Sequence, residues 1–185
     1  MKLFLLFLWL LAITYSCSAK AQEIDPVKKA NALNEQKSDH KIVDDAAAVF
    51  LVKSADARMM DMQEGKLASK RGSSAAIRQY GQLMEKDQAF LLAKIRRLAA
   101  HKQISLPTGI SNQKQEGRED LMEKSGQDFD KKFIKMMKLD HERDVKLFKK
   151  AIKSDDREIS LFANKHLPMI QNHLDKINQL EEMNK

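Results

Sequence analysis

The sequence predicts an all-α fold, a bundle of four long helices with one long connection, and three observations carry that expectation. Apolar residues recur at helical steps of three, four and seven over four segments; no strand-like alternation of useful length interrupts them; and glycine, proline and serine fall between the segments. Hydrophobic residues make up 43% of the 185 residues and charged residues 32%, which suits one water-facing domain with its own core.

The beginning of the chain reads differently. Leu3 to Ile13 is an apolar run behind Lys2, too short to span a bilayer comfortably, and Ala19-Lys20-Ala21 offers a cleavage position before Gln22. Residues 1–21 are therefore expected to be a secretory signal peptide, and the mature protein to reside in the periplasm. Cys17 supplies the alternative of a lipid-modified first residue, against which stands the bulk of Tyr15 two positions earlier. As the single cysteine, Cys17 leaves with the leader, so the mature chain has no disulfide or thiolate chemistry.

Residues 22–43 are polar, with Asp25-Pro26 and scattered lysines, and are expected to form a linker or frayed arm. The bundle domain is expected over residues 44–185. Its first helix runs from about Asp44 to Arg71, where Gly72-Ser73-Ser74 ends it and caps the next. The second continues to about Lys102, with Ile77, Met84, Leu91, Ile95 and Leu98 on one stripe. Residues 103–115 contain Pro107 and Gly109 and read as a loop; a short helix follows from Glu116 to Lys124, and Gly126 breaks it. The third long helix, from about Asp128 to Lys153, carries Phe133, Met137, Val145, Phe148 and Ile152. The fourth starts at Ser154-Asp155-Asp156, where Asp155 and Glu158 have capping-box spacing, and carries Ile159, Phe162, Ile170, Leu174, Ile177 and Leu180. Pro168 falls inside it and predicts a kink.

Lengths set the topology. Helices of this size are about 40 Å long, and a loop of roughly thirteen residues reaches about 43 Å when extended. The connection between the second and third long helices is thus able to travel the length of the bundle. That makes those two helices parallel, as in ferritin-like bundles.

Several short motifs occur in a definite order: Glu64-Gly65-Lys66-Leu67-Ala68, Met84-Glu85-Lys86-Asp87, Leu106-Pro107, Gly126 with Phe129-Asp130, Asp140-His141, and Leu167-Pro168 before His173-Leu174. In these the chain, from about Ala55 to Leu180, resembles domain-of-unknown-function family 4142, a group of exported bacterial proteins. The resemblance implies a ferritin-like bundle in the cell envelope, commonly labelled an outer-membrane protein, without an established reaction. One position departs from the pattern: where the family usually has Asp-His, this chain has Asp87-Gln88. An amide is a weak substitute for imidazole at a transition metal.

The candidate chemistry lies on the apolar stripes. Gln88 falls between Met84 and Leu91, His141 one turn after Met137, His166 and His173 on either side of Ile170, and Glu64 one turn from Met60. Glu64, His141 and His173 are the candidate metal ligands, with Asp87 and Asp140 orienting them. The competing reading is a hydrogen-bonded polar layer that fixes helix register. No histidine has glutamate three residues before it, so the di-iron pattern of Glu-x-x-His is incomplete. Met59, Met60, Met62, Met136 and Met137 suggest flexible core filling before thioether binding of Cu(I). The mature chain has no cysteine nucleophile, G-x-S-x-G elbow, phosphate-binding glycine loop or H-E-x-x-H, and so no residues for hydrolase or nucleotide chemistry.

Charge is uneven. The whole chain is +7, and loss of Lys2 and Lys20 with the leader brings it to +5. Residues 131–153 hold nine basic and three acidic side chains. Lys131, Lys135, Lys138, Lys149 and Lys153 share much of one outer face, which is either simply solvated or attracted to anionic lipid or another polyanion. Nucleic-acid binding is not expected, because aromatic residues are not interleaved with these charges. The functional expectation is an exported, non-enzymatic bundle that binds a ligand or partner in the cell envelope. Its alternatives are a metal-binding bundle, for oxidoreduction or storage, and a binder of anionic surfaces; no cofactor beyond a metal ion is suggested.

Overall fold

A computed structural model describes residues 24–184, which form six helices: α1 (Pro26–Asp39), α2 (Asp45–Arg71), α3 (Ala75–His101), α4 (Asn112–Glu123), α5 (Gly126–Ala151) and α6 (Arg157–Met183). No strand occurs among the described residues. The expected signal peptide and Cys17 lie outside them. No helix among the described residues is long and apolar enough to cross a membrane.

The four long helices begin and end close to where the side chains demand. Asp44 caps α2 by accepting from the Ala47 amide, and Ser74 caps α3 by accepting from that of Ile77. At α6 the cap is Asp156, one residue beyond the expected Asp155; its carboxylate accepts from Glu158 N and Ile159 N. Its other oxygen, Oδ2, pairs with Lys102 at the end of α3. α6 runs through Pro168.

Cross-links fix the directions. Arg58 pairs with Asp144 and Ser73 with Asp130, so α2 and α5 are antiparallel. Tyr80 donates to the His173 carbonyl and Lys102 pairs with Asp156, so α3 and α6 are antiparallel as well. α2 and α3 form a tight hairpin around Gly72. It follows that α3 and α5 run the same way, joined by the long connection that contains α4.

Glycine allows α2 and α3 to touch. A Cβ on Gly65 would stand 2.8 Å from the Gly81 carbonyl oxygen, and one on Gly81 would stand 2.5 Å from Ser69 N. Only hydrogen fits at either position.

The segment expected as a polar linker contains α1. Asp25 caps it, Pro26 opens it, and Asn34 is buried, donating to the Ser105 carbonyl at 2.9 Å and accepting from Ser105 N at 2.7 Å. Lys37 adds bonds to Gln103 O and Ser105 Oγ. α1 thus clamps the long connection by polar contacts, and its lack of an apolar stripe made it look like a linker. α4 also starts earlier than expected, at Asn112.

α2 is the central rod, in contact with α1, α3, α4 and α5. The core forms two apolar clusters. One gathers Phe50, Leu51, Met60, Leu91, Ile95, Phe148 and Ile170; the other gathers Ile77, Met84, Phe129, Phe133, Met137 and Ile177. Between them lies a layer of buried charge.

Candidate functional site

α2 contributes three ionisable side chains at steps of three, Arg58, Asp61 and Glu64, all fully buried. The opposite wall comes from α5, with His141 and Asp144 three residues apart and Asp140 beside them. α3 supplies Met84, Asp87 and Gln88, and α6 supplies His173. A helical step of three keeps side chains near one face, so two facing helices suffice to concentrate the charges.

Arg58 organises one half of the layer. Its Nη2 donates to Asp61 Oδ2 at 3.0 Å and to Asp144 Oδ2. His141 stands beside this pair, its Nδ1 at 4.0 Å from the Asp61 oxygen and 3.9 Å from that of Asp144, too far for hydrogen bonds. The other ring nitrogen, Nε2, meets Met84 Sδ at 3.3 Å. His173 packs 5.4 Å from His141, ring centre to ring centre, and its Nε2 lies 2.9 Å from Asp87 Oδ2. With that proton donated to Asp87, a neutral His173 carries its lone pair on Nδ1. Gln88 donates to Met84 Sδ at 3.6 Å.

Unsatisfied atoms remain in both halves. Both oxygens of Glu64, Asp61 Oδ1, Gln88 Oε1, Nδ1 of His141 and His173, and Nε and Nη1 of Arg58 are buried without a hydrogen-bond partner in the protein. Buried polar atoms in this state cost about 1–3 kcal/mol each. Burial, followed by the nearby charges of Asp61 and Asp140, pushes the Glu64 carboxyl well above the usual range. Burial also holds His141 well below the usual imidazole value, with Arg58 adding to the effect. Asp140 is raised by burial and by Asp61, against the opposing charge of Lys114 at 3.6 Å.

Among the described residues, two sets of ligating atoms each lie within 4.8 Å of one another: Asp61, Glu64 and Asp140, and Asp61, His141 and Asp144. The three ligands expected from sequence therefore do not form one set. Glu64 belongs to the first and His141 to the second, while His173 stands outside both, on Asp87. Asp61, shared by the two sets, is the residue sequence reasoning missed, together with Arg58 and Asp144.

The remaining candidates are placed as follows. His166 packs against Phe162 and Phe90 and is no part of the layer. Met59 and Met60 fill one apolar cluster and Met137 the other. Lys131, Lys135, Lys149 and Lys153 are exposed, whereas Lys138 is held by Glu181 at 2.6 Å. A surface groove of about 700 Å³, lined by Val49, Phe50, Lys53, Leu147 and Lys150 among others, shares no residue with the layer.

Fold and layer define an all-helical protein with an ionisable interior between two apolar clusters. The chain belongs to the family of the domain of unknown function DUF4142, whose model matches residues 31–180. No curated protein and no solved structure matches it.

Proposed function

We propose that this protein is an exported, periplasmic bundle of ferritin-like arrangement whose interior binds a divalent cation on Asp61, Glu64 and Asp140. One observation carries the reading: Glu64 is fully buried and both its carboxylate oxygens lack a partner, while two further carboxylates offer oxygens at ligand-to-ligand separation. A cation would satisfy these oxygens together. Carboxylate-rich ligation suits a hard or borderline ion such as Mn²⁺ or Fe²⁺ better than Cu(I). The parallel course of α3 and α5 supports the ferritin-like arrangement. Binding, rather than turnover, is the activity assigned.

Elemental analysis of the protein purified from its native envelope tests this, with Asp61→Asn as the control. Stoichiometric divalent metal in the wild type and little in the variant is the expected result. Equal metal in both, or none in either after purification without chelator, overturns the proposal.

The exposed Lys131, Lys135, Lys149 and Lys153 support a second reading, in which the same bundle lies against an anionic envelope surface. Vesicle binding that weakens steeply with salt is its expected signature; binding indifferent to salt contradicts it.

A further inference from the structure

The two ligand sets that meet at Asp61 differ in what already neutralises them. In the set of Asp61, His141 and Asp144, the Oδ2 atoms of both carboxylates accept from a single nitrogen, Nη2 of Arg58, and His141 Nδ1 faces the same two oxygens. A permanent cation thus stands at the oxygens a metal ion would use. In the set of Asp61, Glu64 and Asp140, the Glu64 oxygens and Asp61 Oδ1 are free. The cations that reach this set are Lys114 and the largely exposed Arg143, each 3.6 Å from Asp140.

We infer that Arg58 is a built-in second cation: its guanidinium takes the position that a second metal ion would occupy on Asp61, His141 and Asp144, so the interior accepts one exchangeable divalent ion, on Asp61, Glu64 and Asp140. The inference rests on the cation-binding reading above. Charge balance supports it. One divalent ion together with Arg58 and Lys114 brings four positive charges to the four carboxylates of Asp61, Glu64, Asp140 and Asp144, while Arg143, the further partner of Asp140, keeps its charge mostly in solvent. A second ion would leave two positive charges in excess where the medium is poorly polarisable. Arg58 is completely buried, and its side chain has no solvent to retreat into.

The test is a Mn²⁺ titration of the wild-type chain and two variants, with bound ions counted and their electron paramagnetic resonance recorded. Wild type is expected to bind one ion, with the spectrum of an isolated Mn²⁺. Arg58→Met is expected to bind two, exchange-coupled through the shared Asp61 carboxylate; where this variant folds only with Mn²⁺ present, the count is made after refolding with the ion. Asp144→Asn is expected to keep one ion, bound more weakly because one of the four balancing carboxylates is gone, and to gain no second. Two ions on the wild type, two on folded Asp144→Asn, or one on folded Arg58→Met each overturn the inference and leave cation binding standing. No ion on the wild type overturns both.

Discussion

Asp61 divides its carboxylate between two roles: Oδ2 accepts from Arg58 at 3.0 Å, and Oδ1 is buried with no partner in the protein. That division joins a neutralised half of the interior to an unneutralised one. Each half makes separate demands on stability and binding.

The unneutralised half makes the apoprotein sensitive to pH through Glu64. Its folded carboxyl is held above the ordinary range, by burial first, so the unfolded chain loses this proton at a lower pH than the folded one. The contribution is fully present below the ordinary glutamate pKa and is lost as pH rises from there towards the folded value. Glu64→Gln removes this dependence. In chelator, the variant is expected to melt roughly 2–4 °C above wild type at pH 8, equivalent to about 1 kcal/mol in a chain of this size, with the gap closing at pH 4. Parallel melting profiles across that range would refute the assignment.

The neutralised half depends on Arg58. Arg58→Ala leaves Asp61 Oδ2 and Asp144 buried without their cation, at an expected cost of about 3–5 kcal/mol in urea unfolding. A cost below about 1 kcal/mol, the range of surface ion pairs, would show that the pair is not the anchor of the layer.

Arg58, Asp61 and Asp144 also mark how far the sequence could be read. The four long helices, their turns and the long connection followed from apolar spacing and from Gly72, Ser74 and Pro107. The buried layer followed only in part: Glu64, Gln88, His141 and His173 were expected in the interior and are buried there, whereas Arg58, Asp61 and Asp144 were not expected. Arg58 and Asp61 sit beside Met59, Met60 and Met62 on a helix with no broad wet face, because four other helices contact it. The spacing of Arg58, Asp61 and Glu64 by threes, answered by His141 and Asp144, was the signal available; it becomes meaningful only once α2 is known to be central. α1 escaped for the opposite reason, since it docks through Asn34 instead of an apolar stripe, although Asp25-Pro26 announced a helix start.

Asn34 accordingly carries a prediction. Asn34→Ala removes both bonds to the Ser105 backbone, an expected loss of about 1–3 kcal/mol. Amide exchange should quicken in α1 and around Ser105 while α5 keeps its protection. Unchanged exchange in α1 would mean that other contacts hold it.

The contact of α2 with α3 at Gly65 and Gly81 carries another. A methyl group on Gly81 meets backbone atoms of Ser69 and Gly65, which yield only if the helices separate. Gly81→Ala is expected to cost about 1–3 kcal/mol in thermal or urea unfolding. A neutral substitution would indicate that the helices are free to slide apart.

The most direct measurement is anomalous diffraction from crystals of the wild-type protein and Glu64→Gln, each grown with Mn²⁺. The account predicts one interior peak in the wild type, bonded to carboxylate oxygens of Asp61, Glu64 and Asp140, and a weakened or missing peak in the variant. A wild-type interior without a peak, its Glu64 oxygens hydrogen-bonded to ordered water, would contradict it.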